Sequence, residues 1–241
     1  FKMHGSRIII TAETKEWAMA AAQSVTGFAT SVIGCKCEAG IEREISANDS
    51  PDLRPGVSVL FFAMDSENLG KRLMERIGQC VMTCPSTACY NGIDEGNEII
   101  VGGQLRYFGD GYQISKKISE KRLWRIPVMD GEFLVDDIFK TKEAVGGGNI
   151  LILAKDQNTT LKAAKSAVKA MREIPNIILP FPNGVVRSGS KVGSKYKALI
   201  ASTNDAYCPT LASLVENTEI DSGVNSVLEI VIDGLTLEDV E

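Results

Sequence analysis

Glu229 is the residue that fits its surroundings least. It stands in Val227-Leu228-Glu229-Ile230-Val231-Ile232, an apolar, β-branched run that reads as a strand. Neighbours in a strand alternate faces, so Glu229 shares a face with Val227 and Val231. Burying a lone carboxylate is costly, and a desolvated carboxyl suits general acid or base work. Two readings stand at this point: a catalytic carboxyl, or a structural glutamate on a solvated edge or in an ion pair. A second candidate is the stretch from Pro180 to Lys197. Pro180, Pro182, Asn183 and Gly184 force a turn, after which Arg187, Lys191, Lys195 and Lys197 alternate with Ser188, Gly189, Ser190, Gly193 and Ser194. Glycines allow close backbone approach, and free N–H groups with cationic side chains suit an anion. The plainer alternative is a solvated surface loop.

Other chemistries are disfavoured. His4 is the single histidine and lies near the start of the chain, so a Ser-His-Asp or Cys-His set has no base elsewhere. No GxxxxGK[ST] phosphate loop occurs, and Gly146-Gly147-Gly148 precedes a strand instead of following one. The six cysteines include Cys35-Lys36-Cys37 and Cys80 to Cys84, neither with metal-site spacing, so no metal is expected and reduced thiols in a cytoplasmic protein are. The net charge of -5 argues against a nucleic-acid partner, and apolar runs are far shorter than the ~20 residues of a membrane span.

The elements that must position these residues alternate in period. Arg7 to Ala12 predicts a strand, Thr14 caps a helix through Val25, and Phe28 to Ile33 predicts the next strand. Glu38 to Pro55 reads as irregular, Gly56 to Phe62 as a strand and Glu67 to Ile77 as an amphipathic helix. Gln104 to Tyr112 predicts a strand entering an Asp-Gly turn, which accounts for Asp110 as well as function does. Strand, helix and strand recur at Asn149 to Ala154, Asn158 to Met171 and Ile177 to Leu179. Val227 to Ile232 follows, with Thr236 and Asp239 as a capping box. The expectation is an α+β protein of two lobes, each a split βαβ, ferredoxin-like sandwich with insertions. The boundary falls between Trp124 and Gly148. A chain that starts at Phe1 and stops at Glu241 just inside a helix pattern reads as a fragment.

Several segments together resemble the formylmethanofuran:tetrahydromethanopterin formyltransferase family. They include Val-Thr-Gly-Phe-Ala-Thr-Ser-Val-Ile at 25 to 33, Glu-Arg-Ile-Gly-Gln-Cys-Val-Met-Thr-Cys-Pro at 75 to 85 and Phe-Gly-Asp-Gly-Tyr at 108 to 112. Ala-Ser-Thr-Asn-Asp-Ala-Tyr-Cys-Pro-Thr at 201 to 210 and Glu-Ile-Val-Ile-Asp-Gly-Leu at 229 to 235 extend the match across most of the chain. The resemblance implies a distal lobe at 1–130, a proximal lobe at 131–241 that ends early, and a homo-oligomer, dimer or tetramer. It implies formyl transfer from formylmethanofuran to N5 of tetrahydromethanopterin, both co-substrates, with no bound metal or prosthetic group. Glu229 takes the place of the family's active-site carboxylate, while Asp233 stands where the family has Asn. Arg187, Ser188, Ser190, Lys191, Ser194, Lys195, Thr203, Asn204 and Asp110 are the implied coenzyme-binding residues, the cations holding the coenzymes' anionic tails. Gly-Cys-Lys-Cys-Glu at 34 to 38 and Val-Val-Arg-Ser-Gly-Ser at 185 to 190 look closer to the bacterial C1-oxidation type, whose homologue is a subunit of a formyltransferase/hydrolase complex. The competing expectation is a non-catalytic coenzyme-binding subunit of such a complex, since fold does not fix function.

Overall fold

A computed structural model describes residues 1–118 and 121–241. Strand β1 (Lys2–Thr11) opens the chain. Thr14 then caps helix α1 (Lys15–Thr26) by accepting the Trp17 N–H, and Gly27 closes it. Phe28 to Ile33 is not a strand. Phe28 has φ 54°, the left-handed region, and Ser31 caps the short helix α2 (Val32–Cys35), so the turn overrides the β-branched Val32 and Ile33. The strand comes later, as β2 (Glu38–Ile45), in a stretch whose charges read as a loop. It forms because β3 (Gly56–Ala63) pairs with it and because partners elsewhere satisfy Glu42. Asp65 caps α3 (Ser66–Arg76), which runs into a π-helical turn at Ile77–Val81, and β4 (Ala88–Asn91) completes the unit.

These strands lie in the order β2-β3-β1-β4, every neighbour antiparallel, which is the split βαβ arrangement. Helices α1 and α3 cover one face, and Ile8, Ile10, Ala21, Val59, Phe61 and Leu73 are sealed between the layers.

Strand β5 (Asn97–Ile100) leads into α4 (Gly102–Leu105) and a 3-10 turn at Arg106–Gly109, where the sequence predicts a strand. Gly102 explains the difference. A Cβ there would lie 2.2 Å from the Asp136 carbonyl oxygen, so the chain is pressed against its neighbour and coils away from it. The strands β6 (Ile114–Ile118), β7 (Lys121–Val128) and β8 (Gly131–Asp136) form a meander joined to β4 through β8.

Strand β9 (Ile138–Ala154) pairs in turn with β5, β1 and β13 (Ser226–Gly234). It therefore carries Gly146 to Gly148 inside itself, not ahead of it, and crosses the end of the stretch where a boundary was expected. Asp156, not Asn158, caps α5 (Gln157–Met171), accepting the Thr159 N–H at 2.8 Å. Strand β10 (Ile177–Ile178) and the hairpin β11 (Lys191–Val192) with β12 (Ala201–Ser202) precede β13, and Thr236 caps α6 (Leu237–Val240).

The order β10-β13-β9 repeats β2-β3-β1, so the pattern repeat seen in the sequence is a repeat of topology. The protein is of the α+β class. Helix α5 packs on Ile152, Ile230 and Ile232, which leaves Asn149, Leu151 and Glu229 on the opposite face. Met3, Leu60, Phe62, Ile178 and Leu235 join the two units behind the first sheet. Among the described residues no helix is long and apolar enough to cross a membrane.

Candidate active site

Strand pairing aims Glu229 away from α5 and into the segment that follows β10. Val186 and Glu229 exchange both backbone hydrogen bonds, at 2.7 and 3.0 Å, as an isolated bridge. The side chain is 2% exposed, so the solvated-edge reading fails. None of the ion pairs among the described residues includes Glu229, so the structural ion-pair reading fails as well. Two neutral donors reach Oε1: the Ser190 hydroxyl, and Asn149 Nδ2 at 3.0 Å. Oε2 is buried and has no partner among the described residues. A buried oxygen left this way costs its desolvation energy, on the order of 1–3 kcal/mol, until a donor arrives.

Glu229 lines a pocket of about 90 Å³ together with Arg187, Ser188, Gly189, Thr203 and Asn204. Gly189 makes the closure between these segments. Its φ is +80°, and a Cβ there would meet Asn204 N at 2.6 Å, so only glycine lets the two loops touch. The backbone N–H groups of Ser188, Gly189, Thr203 and Asn204 have no acceptor among the described residues. Tyr207, Cys208 and Pro209 add to the wall, with Leu151, Val186, Val227 and Leu228.

Other residues named from the sequence lie outside this pocket. Lys191 Nζ binds Asp205 Oδ1 at 2.6 Å, and this bond leads the causes that hold the Asp205 carboxyl below its usual range. Ser194 accepts the Tyr196 N–H at 3.0 Å in a local turn, and Lys195 is exposed. Asp110 is the exposed residue that closes the 3-10 turn, with φ 50°. Sequence reasoning missed Asn149. Its register partner is Val231, two along from Glu229 on the same face, so only the pairing of β9 with β13 reveals it. A polar residue opening an otherwise apolar strand was the available signal.

Asp233, four residues along β13, is wholly buried. Burial and the facing Glu38 push its carboxyl well above the usual range, and its Oδ1 accepts the Gly147 N–H at 3.1 Å. All six cysteines are free, and burial pushes the Cys37, Cys84 and Cys89 thiols up, away from nucleophilic character. Among the described residues no cluster of three or more His, Cys, Asp or Glu side chains is placed to hold a metal.

Fold and pocket together define an α+β protein with a buried carboxyl at a small pocket, lined by residues whose backbone N–H groups lack an acceptor among the described residues. Residues 1–128 match the family described as formylmethanofuran-tetrahydromethanopterin formyltransferase, and residues 131–241 match its proximal lobe. The chain belongs to this family. It is 59% identical to the formylmethanofuran–tetrahydromethanopterin formyltransferase of Methylobacillus flagellatus, over 100% of this chain and 80% of the relative. The formyltransferase/hydrolase complex from Methylorubrum extorquens, solved in complex with methylofuran, contains a chain with TM-score 0.96 and 50% identity, covering 100% of this chain and 80% of that one. The formyltransferase from Methanosarcina barkeri superposes with TM-score 0.93 at 45% identity, covering 100% and 82%.

Proposed function

We propose that this chain transfers a formyl group, reversibly, from formylmethanofuran to N5 of tetrahydromethanopterin. The observation that carries the reading is the Glu229 carboxyl at the small pocket, held through Oε1, its buried Oε2 without a partner among the described residues. N5 attacks the formyl carbon, and a tetrahedral oxyanion forms. The C–N bond to methanofuran then breaks as the bond to N5 persists. The proton lost from N5 must reach the departing amine, and this reading assigns its transfer to Glu229. The N–H groups of Ser188, Gly189, Thr203 and Asn204 are the candidate donors to the oxyanion, and Arg187 adds positive charge at the pocket wall. Ser190 and Asn149 position Glu229. Both coenzymes enter as co-substrates, and the chemistry needs no metal.

The same reading divides the chain into lobes at 1–130 and 131–241, a cut that falls on the turn between β7 and β8. It takes the protein to be cytoplasmic, in keeping with six free cysteines, and a dimer or tetramer of identical chains. Association with other proteins is supported by a relative from Methylorubrum extorquens that is named as one subunit of a formyltransferase/hydrolase complex and is 50% identical over 98% of this chain.

Ultraviolet absorbance tests the reading directly. Mixing formylmethanofuran and tetrahydromethanopterin with the purified protein should produce the spectrum of the N5-formyl product at a rate proportional to enzyme. Binding of both coenzymes without that spectral change would overturn it and assign a non-catalytic subunit.

A further inference from the structure

We infer, resting on the formyl-transfer reading, that Lys191 and Asp205 are positioning residues: their ion pair clasps the hairpin of β11 and β12 and so holds the Ser190 hydroxyl on Glu229. Ser190 is one of the two donors on Glu229 Oε1, and it precedes β11 by one residue. Local structure holds it weakly. Ser190 is exposed, so apolar packing does not lock its side chain. Strands β11 and β12 pair at two positions, Lys191 with Ser202 and Val192 with Ala201, in a sheet of their own. A two-stranded hairpin is marginal by itself in water. Val192, Tyr196, Leu199 and Ile200 are exposed, so this one gains little from burial.

Contacts between the two arms close the hairpin at three levels. At its base Gly189 lies against Asn204, where a Cβ would come within 2.6 Å of the Asn204 nitrogen. At its outer end the Gly193 N–H donates to the Ile200 carbonyl at 2.6 Å, and the Ser202 hydroxyl to the Gly193 carbonyl at 2.7 Å. Between them Lys191 Nζ donates to Asp205 Oδ1 at 2.6 Å. Charge-assisted bonds are the stronger kind. This one ties the residue after Ser190 to the residue after Asn204, across 14 residues of chain. Neither Lys191 nor Asp205 lines the Glu229 pocket, so the pair acts on the reacting group through Ser190.

The test is a double-mutant cycle with rescue. Ser190→Ala should lower kcat at least about tenfold, the order of a hydrogen bond to a charged group, with KM for both coenzymes unchanged. Lys191→Met and Asp205→Asn should each lower kcat about threefold, the order of an exposed ion pair, again at unchanged KM. The exchange Lys191→Asp/Asp205→Lys should restore kcat. In the Ser190→Ala background Lys191→Met should cost nothing further, because the hydroxyl through which it acts is already gone. Additive losses would overturn the inference and give the effect to the Thr203 and Asn204 donors. A raised KM at unchanged kcat would also overturn it, making Lys191 a coenzyme contact. A lowered melting temperature with kcat and KM both unchanged would reduce the pair to a structural one. A second readout needs no turnover. The Glu229 carboxyl stretching band, identified in infrared difference spectra by its loss in Glu229→Gln, should shift in Ser190→Ala and shift the same way in Lys191→Met. A band unmoved in Lys191→Met would overturn the clasp whatever the activity. If the wild type transfers no formyl group while the band moves as expected, the formyl-transfer reading fails and the clasp stands.

Discussion

Glu42 and Glu229 are both glutamates on strands, both nearly without solvent, and they are set up in opposite ways. Glu42 is saturated. Arg7 donates twice, at 2.8 and 2.7 Å, the Ser58 hydroxyl once at 2.5 Å, and the Asn176 N–H once at 2.9 Å. Burial pushes its carboxyl up, but the bonds from Arg7 and Ser58 outweigh it, so Glu42 lies below the usual carboxylate range. It ties β1, β2 and β3 to the segment before β10, and Asn176 passes the link on to Asp239 at 3.0 Å. Among the described residues Glu229 has no cation, two neutral donors on one oxygen and none on the other. A carboxylate whose lone pairs are all taken holds a structure together. One left open beside a pocket waits for a ligand.

The largest test of that contrast is Glu229→Gln, which keeps shape but exchanges no proton. Turnover should fall by roughly 10²- to 10⁴-fold with KM little changed, because the group acts mainly in the transition state. The melting temperature should hold. A variant with near-normal turnover and a lowered melting temperature would make Glu229 a second Glu42.

The converse substitution, Glu42→Gln, should leave turnover of the folded enzyme intact and lower stability by about 3 kcal/mol, since Arg7 loses its buried counterion. Because the folded pKa of Glu42 is depressed, its contribution is present above the unfolded value of about 4.3 and is lost as pH falls through the folded value. Denaturant midpoints from neutral pH downward should thus show a shallower acid limb in the variant. An acid limb equal to that of the wild type would detach Glu42 from acid stability.

Asp233 sharpens the comparison from the other side. Its folded pKa is raised, by burial and by Glu38, with the Phe1 ammonium opposing. Its stabilisation is therefore complete below the unfolded value of about 3.9 and fades as pH rises toward the folded value. Asp233→Asn should hold its melting temperature above pH 4 where the wild type loses a few degrees. Identical pH profiles would show that the acid form has no such role.

The smallest effect belongs to Cys208, the cysteine that lines the pocket. Cys208→Ser should change kcat/KM by less than about twofold, ~0.4 kcal/mol. Alkylation of Cys208 should block turnover by filling the pocket, and the serine variant should resist the reagent. A large loss in Cys208→Ser with coenzyme binding intact would point to a thioester on the path.

What the sequence determined was whatever depends on neighbours in the chain. The strands at Arg7 to Ala12 and Gly56 to Phe62, the caps at Thr14 and Thr236, and the anomaly of Glu229 all follow from local periodicity and side-chain chemistry. Family-specific segments carried the activity further than any composition does. Tertiary structure alone decided three things. It made Phe28 to Ile33 a turn and Glu38 to Ile45 a strand, because a positive φ and the partners of Glu42 outweigh propensity. It kept Lys191 out of the pocket and set Asn149 against Glu229, because ion pairing and strand register act between residues far apart in the chain. And it left the buried Glu229 Oε2 without a partner among the described residues, which no sequence displays, since an unsatisfied atom is defined only by what the folded chain fails to place beside it.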